Sequence, residues 1–273
     1  MQTVPFADAN GVSLYYELEG SGKRLLCISG TGGDLRQQPR LDSPLAASFE
    51  VLAYDQRGLG QSSVPAWPYA MADFADDAVA LLDAVAWDDC LVLGVSFGGM
   101  VAQEVAIRHP ERVRRLVLAC TSAGGSGGAS YPLQTLVDLS PEKRSAVRME
   151  LIDTRWDETW QRANPAMVKL LGERMGLERE GGAPAPGLTN QLAARAEHDT
   201  ADRLGSITCP TLVCGGRFDG IAPPANSEFL ARGIPGARLE MFDGGHGFFI
   251  QDAAALPAII AFLAEGAPEG DAP

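Results

Sequence analysis

Histidine is scarce in this chain. His109, His198 and His246 are the three among 273 residues, so any mechanism that needs an imidazole has a short candidate set. Basic side chains are also in deficit: 22 Lys and Arg stand against 35 Asp and Glu, a formal net charge of −13. That balance argues against binding a phosphate backbone, which needs a basic stripe, and against an anionic membrane surface. Nucleic acid and membrane are therefore not expected as partners. A small-molecule substrate is, while the sequence says nothing of oligomeric state. Five cysteines are too few and too scattered for a disulfide scaffold or a zinc site, and no metal is expected. Cys27, Cys90, Cys120 and Cys214 sit in or beside apolar runs and read as small buried hydrophobes. No apolar run reaches the roughly 20 residues of a membrane span. The first residues lack the basic and apolar regions of a secretory leader, so a cytoplasmic location is the expectation.

What is present is an ordinary globular composition, 46% hydrophobic and 21% charged. Asn10-Gly11 between residues 3–7 and 12–17 predicts a tight hairpin. Short apolar runs follow at 25–28, 49–54, 91–93, 113–119, 211–214 and 238–242 and read as strands. Helical spacing at 70–87, 96–109, 225–232 and 248–264 alternates with them. Buried strands alternating with helices imply a mostly parallel sheet covered on both faces. Between Gly124 and Gly205 the alternation stops, and the segment is helical in character with a Gly- and Pro-rich stretch at 181–187. The expected organisation is a core from 1–123 and 206–265, a helical cap at 124–205, and a tail at 266–273.

The sharpest motif is Gly94-Val95-Ser96-Phe97-Gly98-Gly99. It fits G-x-S-x-G in the required setting, with a buried strand before and a helix after. A serine on so tight a turn is forced into strained backbone angles, and the flanking glycines relieve the crowding. Serine needs a base. His246, in Gly244-Gly245-His246-Gly247, follows one strand, and Asp219, in Arg217-Phe218-Asp219-Gly220, follows another. The chain order Ser96, Asp219, His246 suits nucleophile, orienting acid and general base. His109 precedes Pro110 at a helix end, and His198, in Glu197-His198-Asp199, reads as solvated. The Phe97 backbone N–H, and the Thr31 N–H beside Gly30, are the expected oxyanion donors. Gly30-Thr31-Gly32-Gly33 lacks the Lys and Ser/Thr of a phosphate-binding loop. Gly30, Met100, Ile221 and Phe248 are expected to line the substrate pocket. Trp156 and Trp160, at i and i+4, either join them or pack the cap. The acidic run Asp76, Asp77, Asp83, Asp88 and Asp89 reads as a solvated face, and Asp55-Gln56-Arg57 as a structural turn.

Together Ser29–Asp34, Tyr54–Ser62, the Gly94–Gly99 turn, Arg217–Pro223 and Gly245-His246 resemble the α/β-hydrolase superfamily. Gly94–Gln103 is similar to the same turn in enol-lactonase-like and small serine esterase members. The resemblance implies an α/β-hydrolase fold and a hydrolase that needs no cofactor. Where the family usually has His-Gly after its third strand, this chain has Ser29-Gly30; the histidine organises that loop, so the departure bears on the loop's hydrogen bonding. Cleavage of a small carboxylic ester or lactone through an acyl-enzyme is the expected activity. C–C bond hydrolysis, thioester cleavage and perhydrolysis on the same residues remain open, as do a biosynthetic cyclase or lyase and a non-catalytic binding protein. Neutral acyl groups are expected over anionic ones, with Arg36, Arg57 and Arg217 as the cations that would reverse the preference.

Overall fold

In the computed structural model, residues 5–36, 42–174 and 186–266 are described. Asn10 and Gly11 both take positive φ, 51° and 75°. That is what a two-residue turn needs if its twist is to match the strands it joins. It closes β1 (Phe6–Ala9) onto β2 (Val12–Gly20) with Ala9 opposite Val12. The remaining strands are β3 (Arg24–Ile28), β4 (Glu50–Tyr54), β5 (Cys90–Val95), β6 (Val113–Ala119), β7 (Thr211–Gly216) and β8 (Arg238–Phe242). One eight-stranded sheet results, in the order β1-β2-β4-β3-β5-β6-β7-β8. Its first two pairings are antiparallel and the other five parallel.

The central strands are apolar on both faces because helices cover both. Val92, Leu116, Leu118 and Val213 join one core with Phe74, Val101, Val105 and Leu230. Their alternating neighbours Leu91, Leu93, Val117 and Leu212 join a second with Leu45, Ile259 and Phe262. The two-residue period of a strand thus sorts one sequence into two cores. The helices are α1 (Asp42–Ala46), α2 (Met71–Ala84) and α3 (Phe97–Arg108), then α4 (Pro141–Ile152), α5 (Glu158–Ala163), α6 (Pro165–Arg174) and α7 (Pro186–Ala196) between β6 and β7. After β7 come α8 (Pro224–Gly233), α9 (Phe248–Gln251) and α10 (Ala255–Ala264). Among the described residues no helix is long and apolar enough to cross a membrane.

The structure corrects three expectations. The helix expected over 248–264 is two helices. Asp252 has extended angles, and its Oδ1 accepts the Ala254 N–H at 2.9 Å, a local bond that competes with helix continuation. Asp77 is not on a solvated face. It is 1% exposed and takes two bonds from Arg57, at 2.7 Å from Nε and 2.6 Å from Nη2. Asn10 Nδ2 adds a third at 3.0 Å and ties the hairpin turn to α2. His198 is likewise buried, 5% exposed. The expected tail beyond Gly266, and residues 181–185 of the Gly- and Pro-rich stretch, lie outside the described residues.

Candidate active site

β5 ends at Val95 and α3 begins at Phe97, so Ser96 alone makes the turn between them. Its φ of 56° and ψ of −117° lie where an L-residue is strained, at a cost of order 1–3 kcal/mol. The surroundings hold it there. The Ser96 N–H donates to Ala119 O at 2.8 Å, and Ser96 O accepts from the Gly99 N–H at 2.9 Å. The glycines are required by contact. A Cβ at Gly98 would lie 2.0 Å from Ile28 O, and one at Gly94 would lie 2.4 Å from Gly98 O.

The Ser96 side chain meets His246, from the loop after β8, with Oγ 3.0 Å from Nε2. On the far side of the ring, His246 Nδ1 is 2.8 Å from Asp219 Oδ2. Asp219 stands in the loop after β7. Its other oxygen, Oδ1, accepts the N–H groups of Ile221 and Ala222, both at 2.8 Å. The His246 N–H is anchored on Ile152 O, the last residue of α4. Ser96, Asp219 and His246 are 9%, 2% and 8% exposed. An aspartate oxygen at hydrogen-bond distance accepts, so Nδ1 carries the imidazole proton and Nε2 presents its lone pair to the Ser96 hydroxyl. Asp243 does not compete with Asp219: it is exposed and pairs with Arg155 at 2.8 Å.

Phe97 opens α3, where the first N–H groups have no acceptor within the helix. Its ring goes to the core, edge-on to Phe74 at 5.0 Å. Gly30 passes directly over the nucleophile, a Cβ built on it lying 3.4 Å from Ser96 Cβ, and Thr31 follows. The loop that carries Ser29, where the resemblance leads one to expect a histidine, is held by side-chain amides. Gln56 Nε2 donates to Ser29 O at 2.7 Å and reaches Ser29 Oγ at 3.3 Å. Gln191, from α7 and fully buried, accepts the Gly32 N–H at 2.8 Å and donates to Gln56 Oε1 at 3.3 Å. Two amides hold the loop from both sides.

Of the remaining pocket residues, Met100 stays one helical turn beyond Ser96 and lines a cavity of about 130 Å³. Ile221 clusters with Trp156, Trp160, Met149, Ile152 and Leu171, and the two indoles lie 5.6 Å apart, so the tryptophans pack the helices between β6 and β7. Phe248 is a correction. It is 0% exposed and stacks on Phe242 at 5.2 Å within the second core, because the face of so short a helix is set by the strand beneath it. The three arginines singled out in the sequence are engaged or outward-facing. Arg57 holds Asp77, Arg36 holds Asp34 at 2.7 Å, and Arg217 is exposed. Sequence reasoning missed Gln191 and Arg195, four residues apart on α7. Among the described residues no group of three or more His, Cys, Asp or Glu side chains is placed to hold a metal ion.

A family model described as the alpha/beta hydrolase fold matches residues 23–253. The chain belongs to the α/β-hydrolase family. This α/β-hydrolase is 30% identical over 257 residues to a putative carbamate hydrolase, RutD, of Azorhizobium caulinodans, with 90% of this chain and 92% of that one covered. It is 29% identical to 3-oxoadipate enol-lactonase 2 of Acinetobacter baylyi, covering 87% and 88%. Among solved structures, the enol-lactonase from Burkholderia xenovorans LB400 superposes with a TM-score of 0.80 at 24% identity, over 96% of this chain and all of that one, a likeness of fold.

Proposed function

We propose that this α/β-hydrolase is a serine hydrolase that cleaves a small carboxylic ester or lactone through an acyl-enzyme. Ser96 Oγ attacks the carbonyl carbon as its proton passes to His246 Nε2. Asp219 holds the ring and stabilises the imidazolium. The N–H groups of Thr31 and Phe97 receive the developing oxyanion. Collapse expels the alcohol, which takes the proton from His246. Water, deprotonated by His246, then attacks the acyl carbon, and the acid leaves with Ser96 regenerated. The helices α4 to α7, between β6 and β7, serve as a cap beside this chemistry.

One observation carries the reading: a continuous hydrogen-bonded relay from Asp219 through His246 to a serine on a strained turn. The names of the relatives, a carbamate hydrolase and an enol-lactonase, both describe hydrolysis at a carbonyl carbon and support the reaction class. The test is covalent. A fluorophosphonate is expected to modify Ser96, located by peptide mass spectrometry, and Ser96→Ala to lower kcat on p-nitrophenyl butyrate by about 10⁶-fold, the scale for removing a triad serine. An adduct on another residue, or hydrolysis undiminished in Ser96→Ala, overturns it.

A further inference from the structure

Two cavities stand out in the described structure. The larger, about 300 Å³, lies at the amino ends of β3 and β5, among Lys23, Arg24, Asp89 and Arg114, at the edge of the sheet opposite Ser96. The smaller, about 130 Å³, lies at the carboxyl edge. Its walls include Met100 and Ser122 from the core and Arg195 and His198 from the segment between β6 and β7.

That second wall carries an uncompensated cation. Arg195 is 5% exposed, yet its Nε and Nη2 have no hydrogen-bond partner. Only Nη1 is held, by Tyr131 O at 2.8 Å. A buried guanidinium without a carboxylate is costly, and buried charges are ordinarily paired. Burial pushes the Arg195 pKa down to about 10, with no neighbouring acid to oppose it. The two free nitrogens are not arbitrary. Nε–H and the adjacent Nη2–H form one edge of the guanidinium, the fork that takes both oxygens of a carboxylate side by side. With Nη1 fixed on a carbonyl, the plane of that fork is fixed too.

His198 gives a second unmatched group. Its Nε2 lies 3.2 Å from Ser122 O, a carbonyl, so Nε2 donates and the buried Nδ1 is left with a lone pair and no partner. Nδ1 suits a hydroxyl, or a carboxylate once protonated. Two of its walls belong to elements that also carry the nucleophile or the loop over it. Met100 sits one turn along α3 from Ser96, and the Met100 N–H donates to Ser96 O at 3.4 Å. On α7, Gln191, one turn before Arg195, bonds the loop that passes over Ser96.

We propose that this cavity is a carboxylate subsite, in which the Nε–Nη2 edge of Arg195 grips an acid group on the acyl side of the substrate. The inference rests on Ser96 being the nucleophile and adds a substrate class to that reading, a carboxylate-bearing ester or lactone. It reverses the preference for neutral acyl groups that the net charge suggests, because one buried local cation outweighs distant acidic surface groups screened within about 8 Å.

The test compares mono-p-nitrophenyl glutarate with p-nitrophenyl valerate, esters of similar acyl length with and without a terminal carboxylate. The wild type is expected to favour the glutarate in kcat/KM, and Arg195→Met to lower the glutarate-to-valerate ratio about 100-fold, as two charge-assisted bonds are lost. Arg195→Lys keeps the charge without the fork and is expected to fall between. Free glutarate, followed by the thermal shift it produces, is expected to stabilise the wild type and not Arg195→Met, which reads the site without any turnover. A ratio unchanged in Arg195→Met, or equal stabilisation of both proteins, overturns the subsite while leaving fluorophosphonate labelling of Ser96 untouched. Hydrolysis that persists in Ser96→Ala overturns the hydrolase reading instead.

Discussion

Replacing Asp219 by Asn changes one oxygen to nitrogen, and the structure dictates where that nitrogen goes. Oδ1 accepts two backbone N–H groups, from Ile221 and Ala222, both at 2.8 Å. An amide NH2 there would face two donors, so the Asn carbonyl oxygen takes that side. The NH2 group must then point at His246 Nδ1, which now lies 2.8 Å from Oδ2. A donor facing Nδ1 forces the ring to accept there and to carry its proton on Nε2. Nε2–H then donates to Ser96 Oγ, and the base is lost although nothing has moved. The corresponding change in a trypsin-type enzyme lowers kcat about 10⁴-fold by the same tautomer switch. That is about 5.5 kcal/mol of barrier at 1.36 kcal/mol per decade. The assay is kcat on p-nitrophenyl butyrate, with circular dichroism to show the fold intact and proton NMR to locate the imidazole N–H. The expectation for Asp219→Asn is a loss near 10⁴, with the ring proton moved from Nδ1 to Nε2. A kcat within tenfold of wild type, with the ring proton still on Nδ1, refutes the reasoning.

Two further outcomes follow from buried charge. Asp77→Ala leaves Arg57, 6% exposed, with Asp73 at 3.6 Å as its remaining ion-pair partner among the described residues, and is expected to cost about 3–5 kcal/mol, read as a lower urea midpoint. The double variant Arg57→Met with Asp77→Leu is expected to recover most of that loss, and a single variant within about 1 kcal/mol of wild type contradicts it. His198 is pushed down from 6.5 to about 4; burial outweighs the charges of Glu104 and Asp199, which favour the imidazolium, while that of Arg203 adds to the fall. The unfolded chain therefore binds the extra proton first as the pH drops. Stability is expected to be unaffected above pH 6.5 and to decline by about 3 kcal/mol between pH 6.5 and 4, less any part shared with other groups. In His198→Gln this component should vanish; an unchanged stability profile over that range would show that another group is responsible.

What the sequence made legible is what local pattern governs. The strand runs end where strand-end motifs begin, and Ser96, Asp219 and His246 meet because each follows a strand at the same sheet edge. What it concealed is set by tertiary neighbours. Asp77 belongs to an acidic run that looks solvated, and its partner Arg57 lies 20 residues earlier in the chain. Phe248 follows the loop of His246 as a pocket residue would, but the stacking surface of Phe242 turns it inward. On α7, charged and amide residues in a mixed helix read as surface. Nothing local distinguishes Gln191 and Arg195 from solvated side chains until the core beneath them is known.

The place of Ser29 shows how such concealment arises. A histidine in that position can organise the loop with its own ring, whereas a serine is too short to span it. The structure divides the task between two amides drawn from distant segments. Gln56 comes from the turn after β4 and holds Ser29, and Gln191 comes from α7 and holds the Gly32 N–H. Their mutual bond fixes the amide orientations, since Gln191 must accept from Gly32 and so donates to Gln56 Oε1, which leaves Gln56 Nε2 free to donate to Ser29. The polarity of the chain is therefore determined from end to end by one backbone N–H. It also makes the loop over Ser96 depend on α7, the same helix that carries Arg195. Contact with an acid group at Arg195 and the placement of the Thr31 N–H are in this way functions of one helix, one turn apart. On the proposed reading, a substrate that engages the fork contacts the helix that also holds the loop of Thr31, the proposed oxyanion donor, so binding energy from a remote acid group could be expressed at the reacting carbonyl.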